Sequence, residues 1–368
     1  MPFDIELATL RGPVPRLCFV GHMLGRNPGR VTTQGQIIAD MFSSEGFEVT
    51  SVSSRLNRVL RLSEVVFTLI RGSSRYDVVV LETFSGLSFV MADVVSRLCD
   101  LMNLPLVMFL HGGNLPAFAR ERPKWVSSVL KRADKLAAPS EFIAAKFRDL
   151  GFDVTVIPNT IEIHSYPFQE RRAIRPNLMW MRSFHYVYHP EMAVRVLAGL
   201  KRSHPEARLT MAGADKGKRR AVETLAADMG LADSIRFVGF LDQKRKVEEF
   251  SKADIYINTN RVDNMPVSVI EARALGLPVV ATEVGGLPYI IRNRENGLLV
   301  PDNDVEAMVS AIEELVADPD LSNRISRSGR EIAEASDWNN VRVKWENLLS
   351  EVLDSKRRLQ NQSAAAHR

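Results

Sequence analysis

Short apolar runs alternate with stretches of helical periodicity along the first 160 or so residues. Residues 17–20 are uninterruptedly apolar. A loop carrying Gly21, Gly25 and Gly29 follows, and then residues 33–45, whose apolar positions recur at helical spacing until Gly46 stops them. Residues 47–51, 77–81, 106–110, 135–138 and 154–157 continue the set of strands, with helices at about 87–102 and 141–150 between them. Strands alternating with helices predict a parallel sheet covered on both faces. In such sheets ligands bind beyond the carboxyl ends of the strands. The residues leaving those ends are therefore candidates: Gly21–Arg30, Glu82–Ser85 and His111–Asn114.

The second half repeats the pattern. Strands are expected at 178–181, 208–211, 235–238, 255–257, 279–281 and 298–300, with helices at about 190–200, 304–316 and 321–335. The segment 158–177, with three prolines, mixed charge and little periodicity, is the expected joint between halves. A last helix over 338–357 carries Val341, Trp345, Leu348, Leu349 and Leu353 at helical spacing and needs something to pack on. Residues 359–368 are polar and alanine-rich, and fraying is expected there.

Composition narrows the classes. With 368 residues the chain is too long for one ordinary core, which implies two domains. Hydrophobic content of 45% and charged content of 25% are those of a water-soluble globular chain. A net charge of +4 does not argue for nucleic acid as a partner. Cys18 and Cys99 sit in apolar segments without metal-ligand spacing and are expected to be reduced core residues. No apolar run approaches the ~20 residues that span a bilayer. The N-terminus lacks the basic and apolar regions of a signal peptide. A cytoplasmic location is expected.

The most informative stretch is Asp263-Asn-Met-Pro-Val-Ser-Val-Ile-Glu271-Ala-Arg-Ala-Leu-Gly-Leu-Pro-Val-Val-Ala-Thr282. It predicts a loop, a helix opened by Pro266 and closed by Gly276, then a buried strand. Two acids eight positions apart flank a helix N-terminus, where backbone N–H groups favour an anion. This stretch resembles the Glu-x7-Glu signature of retaining GT-B glycosyltransferases of the family-4 type (glycosyl transferases group 1), which include sucrose synthases and bacterial mannosyl- and glucosyltransferases. Asp263 stands where that family usually has Glu. Val156-Ile-Pro-Asn-Thr-Ile-Glu162, Val284-Gly-Gly-Leu-Pro288 and Asn296-Gly-Leu-Leu-Val-Pro301 resemble further family motifs in the same order, although Tyr289 replaces a usual Glu.

The resemblance implies an α/β fold of GT-B type: two Rossmann-like domains with parallel sheets facing across a cleft. It divides the chain into an acceptor domain (1–165), a donor domain (172–336) and a final helix (338–357) that returns to the first domain. It implies transfer of a hexose from a UDP- or GDP-sugar, with retention, to a carbohydrate or lipid-linked acceptor, and no metal or other cofactor. Glu271 would accept hydrogen bonds from the nucleotide ribose and Asp263 would meet the sugar hydroxyls. Asn264, Met265, Pro266, Val267 and Ser268 would face the sugar or diphosphate. Arg182 would grip the diphosphate, a task suited to a guanidinium because the leaving group is dianionic. His111 would approach the donor sugar. Gly21 and Gly25 would shape the cleft near the phosphates, and Glu82 could orient an acceptor hydroxyl. The family usually places a Lys a few residues after Arg182. Here the loop Ser-Phe-His-Tyr-Val-Tyr-His-Pro has none, and His185, His189 or helix N–H groups are the substitutes.

Each residue also has a plainer reading. Glu271 could be a solvated helix acid, Asp263 a helix cap, Arg182 a surface charge and His111 a packing residue. Asp302-Asn-Asp304 could suggest a metal, but its place before a helix favours capping. The missing Lys and the Asp at 263 also keep open an inactive sugar-nucleotide-binding protein, or a sugar-nucleotide epimerase of GT-B shape. Finally, Arg55, Arg58, Arg61 and Arg71 interleave with Leu56, Val59, Leu60, Val66, Phe67 and Ile70. This pattern fits either a sheet-covering helix or a weak foot on an anionic membrane at its inner face.

Overall fold

The computed structural model describes residues 14–366 apart from Pro28 and Arg172. The N-terminal segment considered for a signal peptide lies outside them. The chain forms two compact units, Met1–Thr160 with Trp338–Arg368, and Ile161–Asp337.

In the first unit, β1 (Leu17–Val20), β2 (Val49–Val52), β3 (Val78–Thr83), β4 (Leu106–Leu110), β5 (Lys135–Ala138) and β6 (Val154–Val156) form one parallel sheet in the order β2-β1-β3-β4-β5-β6. Side chains alternate between its faces. Cys18 and Val20 of β1 enter one apolar cluster, Leu17 and Phe19 the other. Both cysteines are buried and free, and burial pushes each thiol up to about 12.

The second unit holds β7 (Asn177–Met181), β8 (Arg208–Ala212), β9 (Ile235–Gly239), β10 (Ile255–Asn258), β11 (Val279–Thr282) and β12 (Leu298–Val300). Their order, β12-β11-β10-β7-β8-β9, is that of a Rossmann sheet. The direction of winding reverses between β7 and β10. In the first unit it reverses between β1 and β3. Crevices at the carboxyl ends of these strand pairs are where doubly wound sheets bind ligands.

The final helix belongs to the first unit. Trp338, Val341, Trp345, Leu348, Leu349 and Val352 join Phe19, Phe42 and Phe109 in one core. Trp345 meets Phe109 edge-on at 5.1 Å, and the Trp338 indole donates to Glu45 at 2.6 Å. The helix extends to Ala366, past the fraying expected from residue 359. Alanine has the highest intrinsic helix propensity, and no Gly or Pro interrupts the run. Among the described residues, no helix is long and apolar enough to cross a membrane.

Candidate active site

The switch point of the second sheet gathers most of the residues singled out in that half. Arg182 leaves β7, and Asn260 and Asp263 follow β10. The Arg182 guanidinium donates to Asp263 Oδ2 at 2.6 Å and lies 4.1 Å from the centre of the Tyr188 ring. Burial opposes its charge, but Asp263 together with Tyr188, Tyr256 and Glu271 outweighs it and holds the guanidinium above its ordinary value. Arg182 Nε is buried without a partner among the described residues. Asp263 Oδ2 also accepts from Asn260, and Oδ1 accepts from the Asn264 N–H at 2.8 Å. Both oxygens that sequence reading assigned to sugar hydroxyls are thus engaged within the protein.

Asp263 does not cap the following helix. That helix is Val267–Ala274, with Pro266 at its N-cap and no side-chain cap. Pro266, expected at the first helical position, therefore sits one position ahead of it. The N–H groups of Val267 and Ser268 have no acceptor within the helix and open onto the loop. The Ser268 hydroxyl is held by Tyr256 Oη at 2.8 Å, which also reaches the Met181 carbonyl at 3.1 Å. Burial pushes the Tyr256 phenol up to about 12, so it acts as a neutral donor.

A second family-like motif closes against this loop. Gly286 N–H donates to the Asp263 carbonyl at 3.1 Å. A Cβ on Gly285 or Gly286 would stand 2.0 Å from the carbonyl oxygen of Asp263 or Asn264. Only glycine permits that approach.

Glu271 is buried and not a solvated helix acid. Its Oε1 accepts from the Tyr166 hydroxyl at 2.9 Å and from the Lys246 ammonium. Burial, then the neighbouring carboxylate, raises the Tyr166 phenol. Oε2 makes no hydrogen bond among the described residues. Tyr166 and Lys246 are absent from the sequence reading. Lys246 lies in Gln243–Ser251, whose charge run resembles a solvated helix face. Nothing local distinguishes the one lysine that turns inward. The histidines after Arg182 have other partners: His185 accepts from the Val187 N–H, and His189 Nε2 lies 3.1 Å from Arg261.

The first unit collects Gly21, Glu82 and His111 at the ends of β1, β3 and β4. Glu82 is 2% exposed. It accepts from the His22 N–H (3.2 Å), the Thr33 hydroxyl (3.1 Å) and the Gly35 N–H (2.8 Å). Oε2 takes two of these donors and Oε1 one, and through them Glu82 ties the glycine loop and the next helix to the sheet. Burial raises its pKa, against the pull of those three donors. Gly21 leaves room for it, since a Cβ there would stand 2.2 Å from Glu82 Oε2. Gly25 instead packs on Thr32.

His111 lies between Phe84 (5.2 Å, stacked) and Phe109 (4.2 Å, edge-on). Burial pushes its imidazole down to about 3, so it is neutral at ordinary pH. Its Nε2 is buried and unpartnered, 3.7 Å from Glu82 Oε1. An unpaired buried polar atom is costly and suits a ligand hydroxyl.

Asp304 caps the helix Val305–Ala317 through the Ala307 N–H at 2.9 Å. Among the described residues no group of three His, Cys, Asp or Glu side chains could hold a metal ion.

Comparison with known proteins matches two family models in chain order: Glycosyltransferase Family 4 over residues 38–165 and Glycosyl transferases group 1 over residues 171–332. A D-inositol 3-phosphate glycosyltransferase of Acidothermus cellulolyticus is 33% identical over 172 residues, 45% of this chain and 37% of that protein. A glycogen synthase of Mycobacterium tuberculosis is 26% identical over 263 residues, 66% of this chain and 62% of that protein. The chain thus spans less than two thirds of these relatives' length. Sucrose-phosphate synthase from Thermosynechococcus elongatus matches the fold with a TM-score of 0.80 at 18% identity, over 93% of this chain and all of that one. Anabaena Alr3699/HepE, solved with UDP-glucose, gives 0.72 at 16% identity over 93% of this chain and all of that one. Two family models in sequence, on two parallel sheets of six strands each, make the chain a member of the group 1 glycosyltransferases of GT-B fold.

Proposed function

We propose that the chain is a retaining glycosyltransferase that moves a hexose from a UDP- or GDP-sugar to a carbohydrate or lipid-linked acceptor. The observation that carries this reading is the pairing, at one switch point, of Arg182 with the uncapped N-terminus of Val267–Ala274. Together they offer a guanidinium and backbone N–H groups to one anion. Charge developing on the leaving diphosphate would be met by Arg182 through its unpartnered Nε and by those N–H groups. Asp263 then acts as a positioning residue that holds and orients the guanidinium. Glu271, fixed through Oε1, offers Oε2 to the ribose hydroxyls. His111 offers a neutral imidazole to a sugar hydroxyl, and the acceptor would attack on the face the nucleotide leaves. HepE, solved with UDP-glucose, favours UDP over GDP as the first nucleotide to try.

A panel of nucleotide sugars tests this by thermal shift and by donor hydrolysis without acceptor. One UDP- or GDP-sugar should stabilise the protein, by about 2.7 kcal/mol at 100-fold over its dissociation constant. Arg182→Ala should lower turnover by about two to three orders of magnitude. Arg182→Lys should recover part of it, because lysine lacks the paired fork. Binding without hydrolysis or transfer would favour the inactive sugar-nucleotide-binding reading. Epimerisation of the donor sugar without transfer would favour an epimerase. A harmless Arg182→Ala would remove the residue from the mechanism.

A further inference from the structure

The helix Arg58–Gly72 is apolar on two sides. One stripe, Val65 and Leu69 with Leu62 beside them, packs into the core with Val52, Val79 and Leu81. A second stripe faces away from the protein. Val59 is 72% exposed, Phe67 62%, Leu60 58% and Ile70 56%, and Leu56 in the preceding turn is 54% exposed. At about 100° per residue, Val59, Ile70, Phe67 and Leu60 share an arc of about 100° opposite Val65 and Leu69. The sheet therefore uses only one of the two stripes, and sheet-covering does not account for the other. A surface helix ordinarily carries polar residues there. Clustered exposed apolar side chains mark an interaction surface.

Arginine edges this stripe at its far end. Arg71 closes the helix next to Leu60 on that arc, with its guanidinium 5.9 Å from the Phe67 ring centre, whereas Arg58 opens the helix on the side of Val65 and Leu69. Arg58, Arg71 and Arg75 are exposed and form no ion pair among the described residues. Arg55 pairs with Glu64, the one acid of the segment, at 3.3 Å. Residues 55–75 contain five arginines against that single acid. Arg61 differs from the others. It is 7% exposed and donates to the carbonyls of Arg55 and Leu56 at 2.8 and 3.1 Å, so it braces the turn and contributes nothing outward.

The helix follows the carboxyl end of β2. Its neighbour in the same layer, Phe89–Leu101, follows the carboxyl end of β3. Leu87, 75% exposed, and Val90, 41% exposed, therefore lie at the same end of the layer as Leu56, Val59 and Leu60. Gly21 and His111 leave their strands at that end too.

We propose that this face docks on an anionic lipid bilayer. The apolar stripe would sit at the headgroup–acyl boundary, with Arg71 and Arg75 among the lipid phosphates. Charge complementarity selects this occupant: an apolar band edged by unpaired cations matches a surface that is apolar within and anionic at its rim. The inference is independent of the proposed reaction, since docking needs no donor or acceptor.

Sedimentation of the full chain with vesicles tests it, using phosphatidylcholine alone and phosphatidylcholine mixed with phosphatidylglycerol. The parent should bind the anionic vesicles at low salt and release as salt shortens the screening length. Replacing Arg71 and Arg75 by Gln should weaken binding about fivefold per arginine. Phe67→Ser with Ile70→Ser should weaken it by at least about tenfold, with an unchanged melting temperature. Val59→Ser with Leu60→Ser is an equivalent second probe should the first pair fail to fold. Absence of parental binding at low salt overturns the proposal, as do variants that bind like the parent. A parent that self-associates through this face, becomes monomeric on Phe67→Ser with Ile70→Ser and ignores vesicles also overturns it, in favour of a dimer interface.

Discussion

Glu271→Gln gives a stability test of the site that needs no substrate. The Glu271 and Lys246 side chains are 6% and 16% exposed, and they form an ion pair that Tyr166 completes. The substitution keeps the side-chain length and removes the charge, leaving the ammonium beside neutral oxygens. Removing one partner of a buried pair costs about 3–5 kcal/mol. Lys246 retains some exposure, and Gln243 Oε1 lies 3.3 Å from its Nζ, so the lower end applies, about 3 kcal/mol. For a unit the size of residues 161–337, 1 kcal/mol shifts the melting temperature by about 2–4 °C, which gives a loss of about 6–12 °C. Lys246→Met strands the carboxylate and should cost a similar amount. The double variant removes both charges and should melt closer to the parent than either single variant, because neutral replacement of a whole buried pair is often tolerated. Calorimetry of the parent, two singles and the double closes the cycle. Additive losses would refute the coupling. UDP adds a functional reading: the double variant should regain stability without regaining nucleotide stabilisation. Full recovery of nucleotide stabilisation would dismiss Glu271 as a ligand.

Two further predictions concern the first unit. His111 titrates near 6.5 when unfolded and near 3 when folded, so the unfolded chain takes up the proton first as pH falls. The stability contributed by the neutral histidine is complete above about pH 6.5 and is lost progressively towards about pH 3. His111→Asn should therefore flatten the fall in melting temperature between about pH 6.5 and 4, and an unchanged slope would contradict this. His22, lowered to about 4 by burial and then by Arg61 and Arg58, leaves a residual slope. Gly21→Ala forces a methyl against Glu82 and should cost about 1–3 kcal/mol. It should also speed hydrogen exchange at the His22 and Gly35 amides; unaltered protection at both would reject the tethering role of Glu82.

The strands were legible because a parallel sheet buried on both faces needs uninterrupted apolar runs. Residues 17–20, 106–110 and 135–138 match β1, β4 and β5 in full. β3 was read as ending at Leu81 but continues through Glu82 and Thr83. Their polarity hides burial that only distant donors, on the glycine loop and the next helix, make tolerable. Helices Leu115–Glu121, Pro123–Leu130, Arg219–Asp228 and Gln243–Ser251 escaped the reading, being short or rich in charge. Arg182, Asp263 and Glu271 could be named through the family resemblance, because its motifs are local stretches of strand end, loop and helix. Tyr166 and Lys246 could not. They reach Glu271 from 105 and 25 positions away, and no spacing rule links them to it.

The course of the chain has a consequence for biosynthesis. The second unit is one continuous segment set into the first, which closes only with the helix that starts at Trp338. Domains ordinarily fold from the N-terminus as they leave the ribosome. Here the unit begun first is completed last: Phe19, Phe42 and Phe109 are made early, yet Trp338 and Trp345, which cover them, come from the end of the chain. Until then one face of the first sheet is covered only in part, by the helix Gln34–Ser44, while the inserted unit can already close on itself. Loss of the last helix should therefore harm the beginning of the protein more than its middle.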